Sequence, residues 1–562
     1  MAEQNRAPAD SITVIHAIEV DAGPSQEISP NESPVEAHDL PEHLKFRTKL
    51  RLAAILVAIY LVLFVAAFDQ TIIATSIPTI SASLHSASGY TWIGGAYLLA
   101  NTAAGPLWAK CSDIWGRKLA LLSGVAIFAA ASIIAAMSTS MAMLITARAL
   151  QGTAAGGLGQ MVTITISDVF SMRNRALFLG LLGVMWAVAG STGPLIGGAF
   201  TQYVSWRWCF WINLPVCGFA FALLIFFLDV HNPRTKLSDG VKAVDWFGTF
   251  SIFGVTLLLL GLDFGGAIFP WNSPKVICLI VVGTLMIAFF LFSEKRLAKY
   301  PLMLLGLFKN WSNNAAFLAA SAHSMVSMGV KYYLPLYFQS VKQASPLRSG
   351  ILILLTMVIE ATMDIIVGIL IRQTGRYKEI IWAGVIIMTM GTGLFISLQT
   401  DTPIASIIGF QIASGIGIAF LFQLPMIAVQ NTVSQADTAT ATATLGFFRN
   451  LATSLSIVLG GEVFQKSMTT RQSFLIDAGV SEPVRQALSG RQAAAHVDIG
   501  KTIQDPVQRH AVQDAFVWSI RNMLIMYTCI AGIAMIASAF MKQLKLRTEY
   551  TETKTGAQQL TK

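Results

Sequence analysis

Residues 106–118 read PLWAKCSDIWGRK, a short charged stretch that lies between two long apolar segments near 90–109 and 119–138. An apolar segment of about 20 residues is long enough to cross a bilayer as a helix. Composition agrees with this, because 54% of the chain is hydrophobic and only 12% is charged, against about 25% charged residues in soluble domains. The stretch therefore predicts a helical hairpin within a multi-span membrane protein.

Apolar segments of suitable length recur along the whole chain, and each is predicted to be a transmembrane helix. The fourteen segments lie near 52–76, 90–109, 119–138, 141–166, 177–200, 209–228, 246–266, 275–293, 314–338, 349–371, 380–398, 403–427, 439–462 and 521–541. The predicted fold class is an all-α integral membrane protein. Lys and Arg collect in alternate loops, which places both chain ends in the cytoplasm by the positive-inside rule. The sequons at Asn31 and Asn310 fall on that side and are expected to stay unglycosylated.

The basic residues also account for the formal charge of +9. Because they lie between apolar segments, they indicate lipid headgroups as neighbours, and nucleic acid is not an expected partner. The five cysteines are scattered without metal-ligand spacing, so neither a metal site nor a disulfide framework is predicted. Gly500-Lys501-Thr502 imitates the end of a phosphate-binding loop, but Ala495 stands where its first glycine belongs. ATP is therefore not the expected energy source.

A weak internal repeat divides the chain. Gly116-Arg117-Lys118, after the second segment, is echoed by Gly375-Arg376-Tyr377-Lys378 after the tenth, an offset of eight segments. The offset predicts two six-helix bundles separated by two extra helices, with a substrate site between the halves. The predicted divisions are a disordered cytoplasmic tail over 1–50, the first bundle over 51–230, the linker helices over 231–300, the second bundle over 301–541 with a long outer loop at 463–520, and a cytoplasmic tail over 542–562.

Five motifs occur in order along the chain, at residues 63–80, 106–118, 148–152, 190–198 and 206–215. They resemble, in that order, the first-helix motif, the loop motif after the second helix, the fourth-helix arginine motif, the fifth-helix antiporter motif and the next signature of the major facilitator superfamily. The branch they resemble is the fourteen-span drug:proton antiporters, of the fungal toxin and multidrug efflux type. One departure is Ala109, where the loop motif usually has glycine. The resemblance implies the major facilitator fold, with helices arranged as six, two and six.

Asp113, Gly116, Arg117 and Lys118 form the charged part of the loop motif. Glycine supplies a tight turn, and the charges are expected to pair in one conformation and to separate in another. The alternative is that Arg117 and Lys118 only anchor the topology at the lipid headgroups. Since topology does not explain Asp113, a gating motif is favoured.

Asp69 and Arg148 lie inside apolar segments, where a charge costs about 2.5–3.5 kcal/mol on insertion scales. At about 1.5 Å per residue along their helices, both fall in the outer third of the bilayer. An aspartate keeps its charge beside a cation and binds a proton more readily once the cation moves away. The pair is therefore predicted to couple to protons, and a static structural ion pair is the alternative.

Glu360 and Asp364 are one helical turn apart and so share a face of the tenth helix. Two adjacent carboxylates do not both ionise easily in low dielectric, so one is expected to bind a proton, and the site could also bind a cationic substrate. Lys331 is predicted at the depth of Glu360, either as part of a substrate cavity or as a structural counter-ion. Arg449 and Glu462 are weaker candidates, for which marking a helix end is the alternative.

The antiporter motif removes side chains and one backbone donor from the fifth helix. Its members are Gly190, Gly193, Pro194, Gly197 and Gly198. Small residues allow close helix contact and proline bends a helix, so the motif is interpreted as a seal or pivot against leak, with plain close packing as the alternative. Trp186 and Gln423 are weaker candidates for the lining of a substrate cavity.

These features predict a proton-coupled exporter of small amphipathic organic compounds, such as toxins, drugs or secondary metabolites. The proton gradient would drive it without a cofactor, and a monomer in the plasma membrane is expected, with the vacuolar membrane as the other possibility. Two alternatives remain: proton-coupled uptake of a siderophore or nutrient, and a sensor without transport. An enzyme would need a convergent catalytic set, and the sequence contains none.

Overall fold

The computed structural model describes residues 42–84, 89–228, 233, 235–265, 269–298, 301–489 and 499–546. Within these residues the chain is helical, and its β-structure is limited to an isolated bridge between Gly265 and Phe269. The predicted disordered tail up to residue 41, with the Asn31 sequon, lies outside the described residues. So do Ala495 and most of the C-terminal tail.

The long helices are labelled α1 to α14 in chain order. They are α1 (Glu42–Ile72), α2 (Gly89–Trp115), α3 (Arg117–Ala136), α4 (Met141–Val169), α5 (Met172–Tyr203), α6 (Asn213–Phe227), α7 (Trp246–Phe264), α8 (Pro274–Arg296), α9 (Trp311–Ser340), α10 (Pro346–Thr374), α11 (Lys378–Leu394), α12 (Ile404–Phe422), α13 (Thr438–Thr470) and α14 (Pro506–Ala539). Each predicted apolar segment lies on one of these helices. Short helices Trp208–Trp211 and Leu424–Gln430 adjoin α6 and α12.

Nine of the described helices are long and apolar enough to cross a membrane. The other predicted segments fall on α2, α4, α9 and α13, which are less apolar, and on α7, which is a shorter apolar helix. The less apolar helices carry glycine, threonine, asparagine and charged residues that pack inside the protein. A hydropathy threshold therefore counts fewer helices than the pattern of segments, and the number fourteen stays a prediction.

Large apolar side chains remain on the outer surface of the helices. Phe226, Phe250, Leu285, Met390 and Ile536 are all exposed. Exposed apolar surface on this scale is unfavourable in water and favourable against lipid. The surface is therefore that of a membrane-embedded protein.

Helices eight positions apart make equivalent contacts. In the N-terminal group (α1–α6), α1 packs on α5 and α6, α4 on α2 and α3, and α3 on α6; in the C-terminal group (α9–α14), the equivalent pairs are in contact. The two groups meet where α2 packs against α13 and α5 against α10, and these two contacts also correspond to each other. Helices α7 and α8 pack together beside α2 and α13.

The region predicted as a long outer loop, 463–520, contains more helix than expected. Helix α13 continues to Thr470 and α14 begins at Pro506, and short helices Gln472–Asp477, Glu482–Ala487 and Ile499–Thr502 lie between them. With 33 and 34 residues, α13 and α14 are each about 50 Å long, against a hydrocarbon thickness of about 30 Å. Their polar ends therefore extend beyond the bilayer, where hydropathy cannot detect them.

Candidate functional site

Asp69 and Arg148 form an ion pair inside the N-terminal group. The Oδ2 atom of Asp69 lies 2.5 Å from Nη1 of Arg148, and the two side chains are fully buried. The matching depth predicted from their positions in α1 and α4 is thus realised as direct contact. A buried pair of this kind requires further hydrogen bonds to offset the loss of hydration.

Those further hydrogen bonds come from three other polar side chains. The Oδ1 atom of Asp69 accepts hydrogen bonds from Gln151 at 3.1 Å and from Asn213 at 2.8 Å. Gln151 also donates to the Ser132 hydroxyl at 2.9 Å and accepts from Arg148 at 2.9 Å. Gln151 and Asn213 stand in two of the sequence motifs but carried no predicted role, and Ser132 was missed because nothing around it signals a site.

Arg148 is held by α2 as well as by Asp69. Its Nε atom donates to the Ile93 carbonyl at 3.1 Å, and its guanidinium lies 4.4 Å from the centroid of the Tyr97 ring. A Cβ atom added at Gly152, one turn along α4, would lie 2.2 Å from the Tyr97 carbonyl oxygen. Glycine at this position therefore lets α2 approach closely enough to enclose the arginine.

The predicted gating motif forms a second buried charge cluster between α2, α3 and α4. Arg117 contacts Asp113 at 2.6 Å and Asp168 at 2.8 Å. Gly116, with φ +93°, supplies the turn that only glycine adopts readily. Asp168 was not predicted, although it is an acidic residue at the end of an apolar segment. Lys118 lies apart from the cluster, since its Nζ donates to the Ile225 carbonyl at 2.7 Å.

At the same end, side chains of the N-terminal group reach the C-terminal group. Arg173 donates to the carbonyls of Arg372 at 2.5 Å and Gln373 at 2.8 Å. Arg175 donates to the Gln430 side chain at 2.9 Å. This is the end predicted to face the cytoplasm, and these hydrogen bonds join the two groups there.

The acidic residues of α10 occupy different surroundings. Glu360 pairs with Lys331 of α9 at 2.5 Å, which is the counter-ion arrangement that the sequence left open for this lysine. Asp364 is buried against α5 instead. Arg449 and Glu462 do not mark helix ends, because both lie within α13. Arg449 stacks 5.0 Å from the centroid of the Phe422 ring and donates to the Phe422 carbonyl.

The glycines of the antiporter motif do not share one environment. A Cβ atom added at Gly193 would lie 2.2 Å from Oγ1 of Thr71, and one at Gly197 would lie 2.1 Å from the Ile72 carbonyl oxygen. At these two positions α5 packs closely against α1. Pro194 lies between them in α5. Gly190 faces Met357 of α10, with 3.1 Å between its added Cβ and the sulfur, and Gly198 has no atom within 4 Å.

The weak candidates for a cavity lie on separate elements. Trp186 of α5 is 40% exposed, Gln423 follows α12 and is buried, and Lys331 is engaged by Glu360. Among the described residues, no hydrogen bond, ion pair or ring contact joins these three. Nowhere in the residues that the structure describes are three His, Cys, Asp or Glu side chains grouped closely enough to hold a metal ion.

The chain matches a known protein family along most of its length. The family model described as Major Facilitator Superfamily matches residues 59–457. The chain is 41% identical to the MFS-type transporter ppz2 of Metarhizium majus, over 93% of this chain and 90% of that protein. It is 40% identical to the efflux pump dotC of Dothistroma septosporum, over 90% of this chain and 87% of the pump.

Solved structures give the same fold at low sequence identity. The proton:xylose symporter XylE superposes with a TM-score of 0.57 at 12% identity, over 89% of this chain and 98% of the symporter. The human organic anion transporter MFSD10 superposes with a TM-score of 0.54 at 14% identity, over 85% and 99%. At these identities the likeness concerns the helical architecture alone.

Proposed function

The chain belongs to the major facilitator superfamily, and on that premise we propose that it is a proton-coupled exporter of small amphipathic organic compounds. The family and the relatives are transporters, so the chain is a membrane transporter and not an enzyme. Relatives named as efflux pumps, dotC and the Fusarium pump LUC4, which is 35% identical over 84% of this chain, support export as the direction. Toxins, drugs or secondary metabolites are the proposed cargo.

The observation that carries proton coupling is the buried Asp69 carboxylate. Its charge is offset by one cation, Arg148, and by two side-chain amides. If Arg148 shifts as the helices move, the carboxylate loses its main stabilisation in low dielectric and binds a proton. Glu360 also pairs with one cation, Lys331, although these two side chains are less buried than Asp69 and Arg148. Each pair therefore converts a helix movement into uptake or release of a proton.

The proposed architecture is fourteen transmembrane helices as two six-helix bundles with α7 and α8 between them. The bundles correspond to 51–230 and 301–541, and the linker helices to 231–300. The equivalent contacts made by α1–α6 and α9–α14 support this division. The two bundles would rock about the α2–α13 and α5–α10 contacts and alternately expose a site between them.

In the proposed cycle, the conformation closed by Arg173 and Arg175 faces outward. An acidic site binds a proton from outside, cargo leaves, and the proton is released inside after the gate has opened. The cluster of Asp113, Arg117 and Asp168 would stabilise the closed gate. The close contact of Gly193 and Gly197 with α1 would act as the seal. We propose a monomer in the plasma membrane, driven by the proton gradient without a bound cofactor.

Inside-out vesicles from yeast that express the protein test this proposal. The panel comprises rhodamine 6G, Nile red, ethidium and a mixture of fungal polyketides, each added outside vesicles whose lumen is acidic. Accumulation that stops when a protonophore collapses the gradient supports proton-coupled export. Accumulation only with an alkaline lumen would indicate uptake as the physiological direction. If no compound moves, or if movement ignores the gradient, the proposal is wrong, and binding without movement would indicate a sensor.

A further inference from the structure

Asp364 lies where the two helix groups press against each other. A Cβ atom added at Gly183 of α5 would come within 2.1 Å of Oδ2 of Asp364, and one at Gly180 would come within 2.6 Å of the Asp364 carbonyl oxygen. Asp364 itself is 6% exposed. The Asp364 carboxyl, which belongs to the C-terminal helices, is thus packed on the backbone of α5 in the N-terminal helices. Only glycine at position 183 leaves room for it.

The charged side chains near Asp364 bond to other groups. On its own helix, Glu360 pairs with Lys331 of α9 at 2.5 Å, and on α13 the guanidinium of Arg449 donates to the Phe422 carbonyl. Helix α5 carries no charged side chain from Ala176 to its end, and α12 carries none at all. Among the described residues, Asp364 makes no hydrogen bond or ion pair, although Glu360, Lys331 and Arg449 act on it electrostatically.

An ionised carboxylate without a countercharge is unfavourable in these buried surroundings. Burial of an unpaired charge costs free energy on the scale of a whole domain's stability, even after the surroundings relax. The protonated acid avoids most of this cost. Contact between α5 and α10 therefore favours the neutral acid, and ionisation favours separation of the helices, because separation hydrates the carboxylate and frees it to approach Arg449.

We propose that Asp364 and Gly183 form a proton-dependent clamp between the two helix groups, with Arg449 as the countercharge of the ionised state. This rests on the proposed alternation between two conformations and adds Asp364 to Asp69 and Glu360 as a group whose proton controls it. Asp364 binds a proton while α5 and α10 touch and releases it when they part. Gly183 is a positioning residue, since its missing side chain creates the space that the acid fills. The clamp lies between the Arg173 contacts at one end of α5 and the Gly190–Met357 contact further along.

Cysteine labelling at the α5–α10 contact tests the clamp without any substrate. In a background that lacks the five native cysteines, Leu177→Cys places a thiol beside Gly368, where an added Cβ would lie 2.8 Å from the Leu177 Cα. The rate of reaction with N-ethylmaleimide is measured between pH 5 and pH 8.5 in the purified protein. Each rate is divided by that of the Asp364→Asn variant at the same pH, which cancels the pH dependence of the thiol.

This ratio is expected to be near one at pH 5 and to rise about tenfold or more by pH 8.5, as the open form changes from a minor to a major population. Gly183→Ala should shift the rise to lower pH, because its methyl group displaces the acid. The double variant Gly183→Ala with Asp364→Ala should be closed at every pH, since removal of the carboxyl group makes room for the methyl. Gly350→Ala, at a position on α10 with open space around the added Cβ, should behave like the parent.

A ratio that stays flat with pH would overturn the clamp, and so would a double variant that labels as fast as Gly183→Ala. The outcome is separable from that of the export assay. A flat ratio together with gradient-driven accumulation would remove Asp364 as the switch and leave the exporter intact. A rising ratio without accumulation of any compound would leave the clamp intact and refute the exporter.

Discussion

Asp69 and Arg148 contact each other at 2.5 Å in a region from which solvent is excluded. Gln151 and Asn213 complete the hydrogen bonding of the carboxylate, so the aspartate is fully satisfied only while α1, α4 and α6 keep their present positions. This coupling of charge to helix position is the physical basis of the proposed proton step. The same geometry also fits a static structural ion pair, and the two interpretations predict different results.

Asp69→Asn is expected to abolish gradient-driven export and to destabilise the protein, because Arg148 becomes a buried charge without a countercharge. Breaking one side of a buried pair costs about 3–5 kcal/mol. The double variant Asp69→Asn with Arg148→Gln should recover most of the thermal stability but no export. Melting of the purified proteins and vesicle accumulation are the two measurements. If the double variant exports in a gradient-dependent way, the pair is structural only.

Arg117→Gln should weaken the closed cytoplasmic gate, since the Arg117 guanidinium bonds to both Asp113 and Asp168. The two carboxylates would remain buried beside a neutral amide, at a cost of about 3–5 kcal/mol. Lys118→Gln is the matched control, because Lys118 follows Arg117 on α3 and makes a single exposed hydrogen bond to a carbonyl. This substitution should change stability by less than about 0.5 kcal/mol. Equal effects of the two substitutions on the melting temperature would contradict the assignment of the gate.

Gly197→Ala should impair export and lower stability by about 1–3 kcal/mol or more through overpacking. Its methyl group would lie 2.1 Å from the Ile72 carbonyl oxygen, and backbone cannot move aside as a side chain can. The adjacent Gly198→Ala has open space around the new Cβ and should export normally. A leak of protons through Gly197→Ala in proteoliposomes would identify the motif as a seal. A tight but inactive variant would indicate close packing alone.

Hydropathy and motif order predicted the helical architecture, and the depth of Asp69 and Arg148 along their helices predicted a pair that the structure shows in contact. These features depend on distance along a single helix, which sequence encodes directly. The roles of Ser132, Asp168 and Arg449 depend instead on how each helix is rotated and which helices are neighbours. A single sequence does not encode those relations in any short-range pattern.

The surroundings of Asp364 could not be predicted from the sequence. Its spacing from Glu360 placed both acids on one face of α10. In the structure Glu360 pairs with Lys331, whereas Asp364 contacts Gly183 of α5, a helix far away along the chain. The helical extensions of α13 and α14 were also missed, because a polar helix outside the bilayer has no apolar signal. Lys118 was grouped with the gate for its position in the motif, but one residue along a helix turns the side chain by about 100°.

The most direct test of the central claim compares the wild type with the variant Asp69→Asn, Glu360→Gln and Asp364→Asn in inside-out vesicles at equal protein abundance. The cargo is the compound of the panel that the wild type accumulates most strongly, and the driving force is an acid lumen. The account predicts that the variant only equilibrates the compound, with no concentration above that outside. Accumulation by the variant to the wild-type level, still abolished by a protonophore, would contradict it.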